Sequence, residues 1–363
     1  MPNRTFKTPK NLDNNSKYNL ASQTNKLLEK VKNSAIPLDL KENVNELLLN
    51  INRAIEFGTY TIEYEQTSKY VDWLVSLPWD RVSKDNYDLR KAREILNKNH
   101  YGLEEIKERV LEYLSVLSLQ SKNEDSPSRS LVLCFVGLPG SGKTSFASSI
   151  AESLGRASLR IPMGGMSSAL QLRGQPKTFP QAEPGLIIKG LRRTNFKNPV
   201  ILLDEIDSTA GGAESEVMGV LLEFLDPEQN FAFTDLYINH FFDLSKAIFI
   251  CTANRQGNLT AAVLDRLEMI IMPHYSDEDK ICIARDYLLP RQLKLVSLPE
   301  NVISFSSDVW IKVIKPFGYE IDIRAIERTI NGILRRAAKK YILGELRSVK
   351  ITADNLKTFL PNW

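Results

Sequence analysis

Cysteine and histidine are both scarce: the 363 residues contain three of each. Cys134, Cys251 and Cys282 stand far apart with no C-x-x-C pair, so neither a disulfide framework nor a protein-built zinc site is expected. Cys134 and Cys251 fall inside apolar runs that read as buried strands, which suits free thiols in a reducing compartment. Excess charge of either sign is also missing. Lys and Arg total 47 against 44 for Asp and Glu, and a balance of +3 gives no ground for a nucleic-acid or membrane surface. No apolar run approaches the length of a membrane span, and the opening MPNRTFKTPKNLDNNSKYN lacks the apolar core of a signal peptide. The expectation is a cytoplasmic protein without membrane or nucleic-acid partners, whose Asn-rich residues 1–24 form a disordered tail.

What is present is a globular profile, 43% hydrophobic and 25% charged, with room for two or three domains. Leu27, Leu28, Val31, Val44, Leu47, Leu48, Ile51 and Ile55 recur at the spacing of an amphipathic helix face. YVDWLVSLPWDR adds an aromatic cluster that ends at Pro78, and two more helical segments follow, giving an N-terminal helical segment over 25–120. The polar SKNEDSPSRS at 121–130 reads as an exposed connection. After it, LVLCFV, ASLRI, PVILLD and KAIFICTA alternate with helical segments, with EMIIMP as a fifth strand. This is the pattern of a parallel sheet covered on both faces, so 121–274 reads as an α/β domain. From SDEDKICIARDYLL onward only helical periodicity remains, which predicts a helical lid domain over 275–363.

GLPGSGKT follows the first of these strands and precedes a helix, so a Walker A pattern occurs in the context it requires. Gly137, Leu138, Pro139, Gly140, Ser141 and Gly142 can turn backbone amides around phosphate oxygens; Lys143 reaches the outer phosphates and Thr144 ligates Mg2+. PVILLDEID ends a buried strand on Asp204, a second metal ligand, and Glu205, a general base for the attacking water. Asn254 closes FICTAN, where its amide can orient that water. Arg266 and Arg324 are candidates for charge stabilisation at the phosphates, or surface ion-pair residues. One further segment, GQPKTFPQAEPG, places Pro176, Pro180 and Pro184 four apart around a lone aromatic, Phe179. Proline in that rhythm excludes a helix or central strand, leaving a loop whose Phe either folds back onto the domain or faces solvent.

Taken in order, YVDWLVSLPWDR, HYGLEEIKERVLEYL, GLPGSGKTS, KNPVILLDEID, LLEFLDPEQN, FDLSKAIFICTAN and LDRLEMI resemble the ATPase part of the Lon proteases, of the AAA+ class, from about residue 25 onward. The resemblance implies an AAA+ P-loop fold and a homo-hexameric ring with ATP and Mg2+ between subunits. It implies Arg266 as a finger on the neighbour's γ-phosphate, Asn254 and Arg324 as sensors, and Tyr101 and Gly102 lining the adenine pocket. Unfolded or damaged polypeptide would be the substrate, gripped by a pore loop whose aromatic position matches Phe179, with Pro180 next to it. The peptidase of that family has no counterpart in these residues. The loop departs from the family where Pro180 and Gln181 follow Phe179, and STAGGAESE lacks the Gly-Asp-Pro usual after the PVILLDEID (Walker B) motif. A second reading is therefore an ATP-binding regulatory subunit of a complete homologue or of a separate protease. A third, a DNA-acting ATPase, lacks a helix-turn-helix or a basic stripe.

Overall fold

The computed structural model describes residues 14–56, 62–122, 131–179, 181–299, 301–316 and 322–360. The connection at 123–130, most of the tail and Pro180 lie outside them. Helix Asn14–Lys32 nevertheless takes in residues 14–24, where polar residues hide any apolar period. In chain order, the strands among the described residues are β1 Val132–Val136, β2 Ser158–Pro162, β3 Val200–Asp204, β4 Phe233–Asp235, β5 His240–Phe242, β6 Ile248–Ala253, β7 Leu267–Ile271, β8 Ile303–Phe305 and β9 Val349–Ile351.

The chain divides into two compact units, each drawn from three separate stretches. The first comprises Met1–Ser83, Ser167–Pro199 and Gly212–Ile248. Its helices Asn14–Lys32, Leu38–Glu56 and Ile62–Ser76 bury Leu27, Val31, Val44, Leu48, Ile51 and Ile55, six of the eight residues whose spacing marked the apolar face, and leave Leu28 and Leu47 half-buried. The antiparallel pair β4–β5 sets Phe233 opposite Phe242. Trp79 packs on that Phe242 ring at 5.1 Å and donates its indole N–H to Leu74 O, so the aromatic cluster of YVDWLVSLPWDR is a packing core.

The second unit comprises Lys84–Met166, Val200–Gly211 and Phe249–Trp363. Its parallel sheet runs β2-β3-β6-β1-β7, and β1, β3 and β6 are buried at every position. Runs apolar on both faces belong in the middle of a covered sheet, and these three occupy it. Helix Ile323–Ile342 buries Ile326, Ile330, Ile333 and Leu334 and is capped by Asp322, whose carboxylate accepts the Ala325 N–H. The C-terminal part is not purely helical: β8 and β9 form a parallel pair, Ile303 opposite Val349. Three-residue strands are too short to show alternation, which is why helical periodicity alone was visible there.

Candidate nucleotide site

Parallel strands in a covered sheet end on the same edge, and the polar residues that follow β1, β3 and β6 meet there. After β1 the chain turns through Gly142, at φ 95, a left-handed conformation that glycine adopts without a Cβ penalty, and enters helix Lys143–Leu154. The amide groups of that first turn, together with the positive end of the helix, form an anion cradle. Lys143 Nζ donates to Gly137 O at 2.6 Å, Leu138 O at 3.0 Å and Asn254 Oδ1 at 3.1 Å. These are neutral acceptors, so phosphate oxygens would compete well for the ammonium. Burial holds the Lys143 pKa below its ordinary value and the Arg324 charge adds to this, while Asp204, Asp207 and Glu205 push back.

Thr144 Oγ1 donates to Asp204 Oδ1 at 3.2 Å. Two hard oxygen donors side by side suit Mg2+, which takes few protein ligands and keeps phosphate and water in the rest of its shell. Among the described residues no group of three or more His, Cys, Asp or Glu gathers for a metal. Thr252 Oγ1 donates to the same Asp204 oxygen at 2.5 Å and accepts the Glu205 N–H at 2.9 Å. Glu205 itself sits at φ 60. A left-handed Glu costs on the order of 1 kcal/mol or more, and persists only where its surroundings enforce it. The Thr252 bond is one such constraint. Gly164 leaves the side chain its room, since an added Cβ there would lie 2.7 Å from Glu205 Oε2.

Asn254 is aimed by Asp207, whose carboxylate accepts the N–H groups of Asn254 and Arg255, each at 3.0 Å. Lys143, Thr144, Asp204, Glu205 and Asn254 thus converge. Sequence reasoning missed Asp207 and Thr252. Both carried a weak signal, Asp207 as the second Asp of LDEID and Thr252 two residues before Asn254 on one strand face.

A cavity of about 1060 Å3 opens beside this edge, lined among others by His100, Tyr101, Lys143, Thr144, Tyr287 and Arg324. Gly102, at φ 59, turns the chain behind Tyr101, and the Tyr101 and Tyr287 rings meet edge to face at 6.1 Å. Arg324 reaches the cavity from the exposed first turn of helix Ile323–Ile342. His100 is buried, stacks on Phe146 at 3.8 Å and shares a 2.9 Å hydrogen bond with Ser149 Oγ. Arg266 stands apart from this cluster. Its guanidinium donates to Ala262 O at 3.0 Å, and its carbonyl accepts the Val132 N–H.

Burial, aided by the Lys107 charge, lowers the His100 pKa from 6.5 to about 4. Between those values the unfolded chain binds a proton that the folded chain refuses. Stability from this residue is therefore complete above pH 6.5 and is lost as pH falls toward 4, by on the order of 3 kcal/mol. Asp235, raised to about 6 by burial, acts in the opposite sense, so the comparison requires a variant. The difference in unfolding free energy between parent and His100→Gln is expected to change by that amount from pH 7 to pH 4. A difference that stays level would reject the assignment.

In the first unit, the segment Gly174–Gly185 is a loop closed at its base. Gln175 N–H donates to Glu183 O, and Asp235 Oδ2 accepts the Gly185 N–H at 2.7 Å. A Cβ on Gly185 would fall 1.9 Å from Leu172 O, so only glycine fits there. Phe179 sits in a turn and is 58% exposed. Helix Ile62–Ser76 touches the loop and the helix Leu186–Thr194 that follows it. Lys177 Nζ lies 4.7 Å over the Tyr70 ring, while Arg192 lies 4.3 Å over Trp73 and pairs with Asp72 at 2.6 Å.

Residues 133–275 match the model of the ATPase family associated with various cellular activities (AAA). Over 327 residues the chain is 42% identical to the Lon protease of Lawsonia intracellularis, covering 90% of this chain and 38% of that one. The Lon protease of Aquifex aeolicus is 40% identical, covering 88% and 40%, and the mitochondrial Lon protease homolog of Homo sapiens 38% identical, covering 92% and 34%. The chain spans about two-fifths of the length of the curated relatives it matches. It carries the AAA ATPase module of the Lon proteases and is homologous to them over about nine-tenths of its own length.

Proposed function

We propose that the chain is a Mg2+-dependent ATPase module that works as a homo-hexameric ring on unfolded or damaged polypeptide, in the cytoplasm. The observation that carries this reading is the convergence of Lys143, Thr144, Asp204, Glu205 and Asn254 on one sheet edge. In the proposed cycle the amide cradle and Lys143 bind the phosphates, and Thr144 and Asp204 would hold Mg2+, which would supply charge neutralisation at the phosphoryl group. Glu205 takes a proton from the attacking water, Asn254 orients that water, and Arg324 answers the phosphate charge from the helical side. Tyr101 and Gly102 are proposed to line the adenine pocket. The proposed division runs from an N-terminal helical segment (25–120) through the nucleotide-binding part (121–274) to a lid (275–363).

The exposed Phe179 supports a substrate-gripping loop, since an aromatic at a stapled loop tip has little of its own surface buried. Purified protein is expected to hydrolyse ATP faster when an unfolded polypeptide is added. Phe179→Ala is expected to lose most of that stimulation while its unfolding free energy stays within about 0.5 kcal/mol of the parent, as for other surface truncations. Retained stimulation, or a loss of several kcal/mol in stability, would place the ring in a packing role instead.

A further inference from the structure

Asp204 is 3% exposed, yet its carboxylate is fully engaged. Oδ1 accepts the Thr144 and Thr252 hydroxyls; Oδ2 accepts Arg160 Nε at 2.8 Å and pairs with the second guanidinium nitrogen at 2.6 Å. The pairing of β2 with β3 explains the contact. Arg160 stands opposite Leu202, so its side chain shares a face with Asp204 two residues further on. A buried carboxylate without a cation is costly, and Arg160 meets that need from the open side, with 58% of its own side chain in solvent. It can therefore withdraw without stranding a buried charge of its own.

Resting on the nucleotide-site reading above, we infer that Arg160 is an exchangeable counter-ion. It neutralises Asp204 through Oδ2 until a metal-bearing nucleotide brings positive charge to the Oδ1 side, where Thr144 stands, so the nucleotide-free protein binds free divalent cations weakly. A metal arriving alone would find one hydroxyl and one carboxylate already neutralised by a guanidinium, and would have to shed water that Mg2+ releases reluctantly. A metal arriving on phosphates already held by Lys143 and the helix N-terminus brings most of its shell with it. The exchange then favours the metal, and the guanidinium moves into solvent. Metal loading thereby becomes conditional on nucleotide.

Mn2+ binding, read as the excess of metal in the protein chamber at dialysis equilibrium, tests this on the whole chain with and without a non-hydrolysable ATP analogue present on both sides. The parent is expected to bind Mn2+ weakly alone and tightly with the analogue. Arg160→Gln is expected to tighten nucleotide-free Mn2+ binding by about tenfold or more, Arg160→Lys to fall between, and Asp204→Asn in the Gln background to abolish the gain. If the Gln variant does not fold, the Lys variant carries the same comparison. Unchanged nucleotide-free affinity in the folded variant, with analogue-dependent binding intact, overturns the role of Arg160. Absence of analogue-dependent binding in the parent overturns the nucleotide-site reading, and this inference with it.

Discussion

Glu205→Gln is expected to retain ATP and stop hydrolysing it, with turnover falling about 10²- to 10⁴-fold, the range that one general base supplies. The substitution is nearly isosteric and leaves the backbone alone. The Thr252 bond to the Glu205 backbone N–H is untouched and the Gln side chain has the same shape beside Gly164, so the left-handed turn survives. What disappears is the ability to take a proton from water. Affinity for a fluorescent ATP analogue should therefore match the parent, while phosphate release under saturating ATP should nearly vanish. A variant that turns over ATP at the parent rate would remove Glu205 from the base position and direct attention to a different carboxylate.

Arg266→Ala is expected to cost a thousandfold or more in turnover, as for other arginine fingers, and to do so from a neighbouring subunit. The residue follows the short helix Ala261–Leu264, and its carbonyl anchors the start of β1 through the Val132 N–H. The side chain lies outside the cluster of Lys143, Asp204 and Glu205 contacts. In a head-to-tail ring that is where a group serving the next site belongs. Mixing Arg266→Ala with Glu205→Gln protein should restore measurable turnover, because some interfaces then pair an intact Glu205 with an intact Arg266. Assembled mixed rings with no recovery would reject action in trans.

Local chemistry made much of this legible in the sequence. Five apolar runs became the five strands of the sheet, because stretches such as PVILLD are apolar on both faces and have no other stable place. Gly142 and Lys143 pointed to the proposed phosphate cradle because the required backbone and charge are encoded within eight residues. Arg160 was invisible for the opposite reason. It is an ordinary strand arginine until β2 lies beside β3, and only the sheet order brings it to Asp204. The Asp235 staple is hidden in the same way, since its partner Gly185 lies fifty residues upstream. The π-helical turn Ile283–Leu288, set within an otherwise α-helical run, has no cue in IARDYL that we can name.

The sheet order also bears on how the chain is made. β1, which leads into the proposed phosphate loop, lies between β6 and β7, and both follow it by more than a hundred residues. At ribosomal speeds of about 5–20 residues per second, those neighbours emerge roughly 6 to 30 s later. Throughout that interval the all-apolar VLCFV has neither of its final partners. It is an unpaired edge of the kind that recruits foreign strands. The nascent chain of a module proposed to act on unfolded polypeptide is thus itself, for some seconds, a candidate client of such machines.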